Sequence, residues 1–162
     1  MFPDDIESLA RAVVDAAIRR GVMIATAESC TGGLVAGAIT AIAGSSAVLD
    51  RGFVTYSNAA KVGMIGVSPE LIEACGAVSE PVARAMATGA LSHSNAGLAV
   101  SITGVAGPGG GSTEKPVGLV HFGVADGAGV DHREHRFGDP GREAVRLASV
   151  RVALAMLLER LE

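Results

Sequence analysis

Ser29, Cys30 and Thr31 stand together in AESCTGG (27–33), after one apolar run and before another. A hydroxyl or thiol on a strand-to-helix turn can act as a nucleophile, because free backbone N–H groups at a helix start stabilise an oxyanion. Gly32 and Gly33 would let a substrate come close to that turn. The same residues also suit plain capping of the helix, a common use of Ser and Thr at such a position. A serine nucleophile needs a base, and neither G-x-S-x-G nor S-x-x-K surrounds Ser29. The base has to come from another segment.

Lys61 is the candidate base. With Asn58 as the expected cap, Lys61 falls in the first turn of a short helix, where the positive end of the macrodipole disfavours an ammonium and lowers its pKa. The alternative is an ordinary solvated lysine. Tyr56, the only tyrosine, sits on the strand just before. Its hydroxyl could relay a proton or hold a substrate, or it is a strand-end aromatic with a wet tip. Cys30 competes with Ser29 for the nucleophile's place, and spacing does not decide between them.

Binding groups are read the same way. The stretch GVAGPGGGSTEKP (104–116) is neither helical nor strand-like and is too long for a plain turn, so it reads as a functional loop. Its glycines suit anion cradling by backbone N–H groups. The stretch lacks a G-K-[ST] ending and does not continue as G-x-G-x-x-G, so ATP or dinucleotide binding is not indicated. Arg142 and Arg146, four apart on the last expected helix, share a face that is either a phosphate clamp or a solvated surface. His132 and His135, three apart on an expected strand, go to opposite faces, and the two cysteines have no paired-ligand spacing. No metal is therefore expected. His93 and His121 have no recognisable partner.

The elements that must position these groups are legible in outline. Residues 4–20 carry apolar side chains at helical spacing, acids in the first turn, arginines in the last and Gly21 beyond. VMIATAE (22–28) reads as a strand, LVAGAITAIA (34–43) as a packed helix, GFVTYS (52–57) as a second strand and 97–103 as a third. Ser68-Pro-Glu and Ser79-Glu-Pro look like helix starts. GLVHFGVA and VDHREHRF, separated by DGAG, predict a β-hairpin, and a long helix begins near Arg142. Alternating strands and helices imply a three-layer α/β/α sandwich with a mixed, mostly parallel sheet. Ligands bind beyond the carboxyl ends of strands in such sheets. Three segments meet that description: Glu28 to Gly33, Tyr56 to Lys61, and Thr103 to Ser112, which includes Gly104 and Gly107.

Composition bounds the function classes. At 162 residues, the chain reads as one domain spanning 1–162. Two cysteines offer no disulfide framework, the N-terminus carries acids where a signal peptide would carry bases, and no apolar run reaches membrane-spanning length. A cytoplasmic location without membrane contact follows as the expectation. Net charge is −4 with scattered basic residues, against direct nucleic-acid binding.

AESCTGG (27–33), GFVTYSNAAK (52–61), GAVSEPVA (76–83) and GVAGPGGGSTEKPVG (104–118) together resemble, in order and spacing, the C-terminal domain of the competence/damage-inducible CinA family. The resemblance spans nearly the whole chain and implies a CinA-like sandwich. It implies hydrolysis of the carboxamide of nicotinamide mononucleotide to nicotinate mononucleotide and ammonia, without metal or organic cofactor. It points to Ser29 as nucleophile and Lys61 as its base, with Tyr56 at the same pocket. Glu28, Thr31, Gly32, Gly33, Thr103, Gly104, Gly107 and the two arginines become the expected substrate-binding set, and a homo-oligomer the expected assembly. The family usually shows a compact G-D-R before a V-R pair, whereas this chain reads GDPGREAVR (138–146), leaving both Arg142 and Arg146 as phosphate candidates. A nucleotide-binding regulatory module without turnover, or an amidase acting on another amide, are the competing readings.

Overall fold

The computed structural model describes residues 1–162. Eleven principal elements follow in the order α1 (Asp4–Arg20), β1 (Ile24–Glu28), α2 (Leu34–Thr40), β2 (Leu49–Val54), α3 (Asn58–Ile65), α4 (Pro69–Cys75), α5 (Glu80–Ser92), β3 (Leu98–Gly104), β4 (Leu119–Asp126), β5 (Gly129–Arg136) and α6 (Arg142–Leu161). They build one five-stranded sheet in the order β2-β1-β3-β4-β5. β1 runs parallel to both β2 and β3, while β4 and β5 are antiparallel additions, the second arriving by the expected hairpin. The sheet is therefore mixed, with its parallel part around β1.

Strand alternation divides the core. Ile24 of β1, Leu98, Val100 and Ile102 of β3 and Phe122 of β4 point to one face and pack with α1, α2 and α6. Ala25, Ala27 and Ala99 point to the other face and meet Ile65 of α3 and Val82 and Met86 of α5. The second face is built of small residues because α5 approaches closely. A Cβ at Gly123 would lie 2.6 Å from the Ala83 carbonyl oxygen, and one at Gly89 only 2.1 Å from that of Ile65. Three layers result, helices covering both faces of the sheet.

α1 has the boundaries expected from its acids, arginines and following glycine, Gly21 adopting φ +61° at the C-terminus. Ser68 and Ser79 cap α4 and α5 as expected, accepting the N–H groups of Leu71 and Val82. Several boundaries differ. β2 ends at Val54, short of the expected 52–57, because its partner β1 ends opposite at Glu28 and leaves nothing further to pair with. The cap of α3 is Ser57, whose Oγ accepts the Ala60 N–H, so Asn58 is already helical. α2 stops at Thr40, short of the expected residue 43.

The parallel registers bring the ends of β1, β2 and β3 level, with Glu28 beside both Val54 and Ile102. Ser29, Tyr56 and Gly104 thus emerge at one edge of the sheet, where α6 also begins.

Candidate active site

A cleft of about 280 Å³ opens at that edge, lined by Ser29, Cys30, Tyr56, Val78, Gly107 and Arg142 among others. The alternation that sends Glu28 toward α2 sends Ser29 to the opposite face, toward α3. Ser29 N–H donates to the Ile102 carbonyl at 2.9 Å, which seats the residue against the end of β3. Its Oγ lies 3.1 Å from Lys61 Nζ.

Lys61 is 1 % exposed. Its Nζ donates to the carbonyl oxygens of Thr55 at 2.8 Å and Tyr56 at 3.4 Å, both in the connection between β2 and α3. These two acceptors match the two N–H bonds of a neutral amine, leaving the lone pair for the Ser29 hydroxyl proton. Burial holds the Lys61 pKa below the ordinary lysine value, with the Cys30 thiol a lesser, opposing influence. A buried ammonium with no carboxylate partner is costly, so the protein favours the form that can accept a proton.

Cys30 has the opposite character. Burial pushes its thiol up to about 11, so at neutral pH it keeps its proton and is a poor nucleophile. Its backbone N–H makes no hydrogen bond to another residue, whereas the Ser29 carbonyl of the same peptide accepts the Gly32 N–H at 3.0 Å. A free donor directly after Ser29, on a residue lining the cleft, suits a developing oxyanion.

The remaining expected residues divide into two groups. Tyr56, Gly104, Gly107 and Arg142 line the cleft. The Tyr56 side chain is 60 % exposed, and its hydroxyl accepts from Arg142 Nη2 at 3.1 Å, away from the Ser29–Lys61 contact. A proton relay through that hydroxyl is not what the geometry offers; Tyr56 reaches Lys61 only through its backbone carbonyl. Arg142 also donates to the Gly107 carbonyl at 2.8 Å, joining α6 to the glycine loop.

Glu28, Thr31, Thr103 and Arg146 face inward instead. The Glu28 carboxylate is buried, accepting the N–H groups of Val35 at 2.8 Å and Ala36 at 3.1 Å and the Thr26 hydroxyl at 3.1 Å. It caps α2. Thr103 donates to the Ala77 carbonyl, tying β3 to the segment before α5. Thr31 is fully buried, with its Oγ1 unpartnered. Arg146 grips the carbonyls of Cys30 and Thr31. Gly32 and Gly33, with φ of +58° and +100°, supply the left-handed backbone that the turn requires and do not line the cleft.

Sequence reasoning passed over Val78, an apolar side chain in the cleft wall. Its signal was its place in GAVSEPVA (76–83), between the two serine-capped helix starts. A second omission lies outside the cleft. His121 does have a partner, its Nδ1 lying 2.8 Å from His132 Nε2, with His132 Nδ1 3.7 Å from Glu80. His135 lies on the other face against Phe122 and Phe137, as the strand spacing requires. No group of three or more His, Cys, Asp or Glu side chains is arranged to hold a metal. No helix is long and apolar enough to cross a membrane.

Comparison with known families places this geometry. The family described as the CinA C-terminal domain matches residues 6–161. The chain belongs to the CinA family. Among its CinA relatives is the nicotinamide-nucleotide amidohydrolase PncC of Escherichia coli strain K12, 52 % identical over 162 residues that cover 99 % of this chain and 97 % of the relative. The crystal structure of the competence/damage inducible protein CihA from Agrobacterium tumefaciens matches with a TM-score of 0.97 and 58 % identity, covering 98 % of this chain and 97 % of that one. A CinA superfamily protein from Escherichia coli matches with a TM-score of 0.92 and 37 % identity, covering 99 % and 94 %.

Proposed function

We propose that this chain is a nicotinamide-nucleotide amidase, hydrolysing the carboxamide of nicotinamide mononucleotide to nicotinate mononucleotide and ammonia. The observation that carries the reading is Lys61 Nζ, buried without a carboxylate, 3.1 Å from the Oγ of Ser29, which lines the cleft. The identity to PncC supports the choice of substrate.

Ser29 Oγ attacks the carboxamide carbon while Lys61 takes its proton, and the oxygen that becomes negative is met by the Cys30 N–H. The Lys61 proton then passes to the departing nitrogen, ammonia leaves, and the nicotinate group remains on Ser29 as an ester. Water attacks that ester, Lys61 accepts its proton and returns it to Ser29, and nicotinate mononucleotide departs. Val78 and Val105 supply apolar wall for the pyridine ring. Arg142, exposed at the mouth with replaceable neutral partners, is the phosphate ligand. No step calls for a metal or organic cofactor.

The chain works, on this reading, as a cytoplasmic single domain on a small nucleotide, without direct nucleic-acid contact. Its free cysteines and net charge of −4 support this. The outer edge of β2, which pairs only with β1, supports a homo-oligomer. Incubating the purified protein with nicotinamide mononucleotide tests the activity: ammonia and nicotinate mononucleotide should form in equal amounts. Absence of both products would reject it.

A further inference from the structure

Arg142 and Arg146 stand one helical turn apart on α6 and look equivalent in the sequence. Their surroundings differ. Arg142 is exposed at the cleft mouth, whereas Arg146 is half-buried behind the nucleophile turn, its Nε donating to the Cys30 carbonyl at 3.0 Å and its Nη2 to the Thr31 carbonyl at 3.2 Å. We propose that Arg146 is a positioning residue that fixes the peptides following Ser29, and not a ligand of the nucleotide phosphate. The inference rests on the amidase reading for its kinetic arm only.

Three successive carbonyls, those of Ser29, Cys30 and Thr31, are each held. Gly32 N–H takes the first, and Arg146 takes the other two. In a trans peptide the C=O and the next N–H point in opposite directions. Holding the Ser29 carbonyl therefore aims the Cys30 N–H, and holding the Cys30 carbonyl stops that residue from rotating out of place. The Thr31 carbonyl also accepts the Leu34 N–H at 3.1 Å, so the same grip links the turn to the start of α2.

Guanidinium suits this task because its planar fork reaches two carbonyls at once, which a lysine ammonium on a flexible stem does less well. Gly32, at φ +58°, gives the turn its left-handed bend, and Arg146 packs against it, a Cβ there standing at ordinary contact distance, 3.5 Å, from Nη2. A phosphate binding Arg146 would have to draw the fork from both carbonyls, loosening the peptides on which oxyanion stabilisation depends. Arg142 has no such duty, since its partners, the Gly107 carbonyl and the Tyr56 hydroxyl, lie in the mouth.

The experiment compares Arg146→Ala, Arg146→Lys and Arg142→Ala by kcat and KM for nicotinamide mononucleotide. It also follows the rate at which a fluorophosphonate, which carries no nucleotide, labels Ser29. Arg146→Ala should lower kcat about 10- to 100-fold, within the range expected for a displaced catalytic group. Its KM should stay within about twofold, labelling should slow in parallel, and added methylguanidine should restore part of both rates. Arg146→Lys should recover little, and Arg142→Ala should raise KM while labelling at the normal rate. If Arg146→Ala does not fold, Arg146→Lys carries the test, with the same fall in kcat and labelling expected. A raised KM with unchanged kcat and normal labelling in the Arg146 variants would overturn the proposal, as would no change in any quantity. If the wild type releases no ammonia, the amidase reading fails, and the labelling rates still decide the role of Arg146.

Discussion

Lys61 on α3 and Ser29 at the end of β1, 32 residues apart in the chain, meet at 3.1 Å with the lysine removed from solvent. The contact fixes a direction for the pH dependence. Burial lowers the Lys61 pKa from the ordinary 10.5, so turnover should rise with pH as the ammonium loses its proton and reach a plateau below that value. The unfolded chain binds this proton more tightly than the folded one. The lysine's own contribution to stability is therefore unfavourable at neutral pH, and stability recovers as pH rises from the lowered value toward 10.5. Lys61→Arg should be nearly as inactive as Lys61→Ala, because a guanidinium keeps its proton. A pH–rate profile of the three proteins checks this, and near-normal turnover by the arginine variant would reduce Lys61 to a binding charge.

Glu28 acts on the fold. Its buried carboxylate satisfies two N–H groups at the start of α2 and the Thr26 hydroxyl. Glu28→Ala should lower stability by about 2 kcal/mol, the usual scale for orphaned buried donors, and lower Tm accordingly. At temperatures where the variant is folded, KM should be unchanged. Denaturant unfolding together with kinetics separates the two effects, and a raised KM at full folding would put Glu28 back in the cleft.

Thr55 makes the converse case. It is fully buried with no partner for its Oγ1, while its backbone carbonyl holds Lys61. Thr55→Val should keep turnover and raise Tm slightly, since a methyl in place of an unpartnered hydroxyl removes a desolvation penalty of about 1 kcal/mol. A large loss of activity would assign the hydroxyl a role that the geometry does not.

Tyr56 and Arg142 test the mouth of the cleft. Tyr56→Phe loses only the hydrogen bond to Arg142, so kcat and its pH profile should hold, with KM changing less than threefold, about the worth of one neutral bond at a mobile site. Arg142→Ala should raise KM about tenfold or more through loss of a charge-assisted contact. A collapse of kcat in Tyr56→Phe would restore the relay that the hydroxyl's present position argues against.

Much of this was legible in the chain before its fold. Acids, arginines and glycine bounded α1, serines marked α4 and α5, and the Gly-rich loop stood apart from the regular elements before it was found lining the cleft. Lys61 stood out as a base from its place at a helix start, and family resemblance strengthened its pairing with Ser29, since their separation in sequence carries no signal of contact. Other features required the assembled sheet. β2 ends where β1 stops pairing, and Glu28 turns inward because neighbouring residues leave a strand on opposite faces. The His121–His132 pair depends on the β4–β5 register, which sets His132 opposite Gly123 and so diagonal to His121. Arg142 and Arg146 share a helix face, and only the placement of α6 against the turn after Ser29 separates them.

The central claim, that Ser29 and not Cys30 is the nucleophile, is tested most directly by ammonia release from nicotinamide mononucleotide with the wild type, Ser29→Ala and Cys30→Ala. The wild type should turn over, Ser29→Ala should fall to background while remaining folded, and Cys30→Ala should retain activity, because burial keeps that thiol protonated and its N–H survives the substitution. Sustained ammonia release by Ser29→Ala, or its loss in a folded Cys30→Ala, would contradict the account.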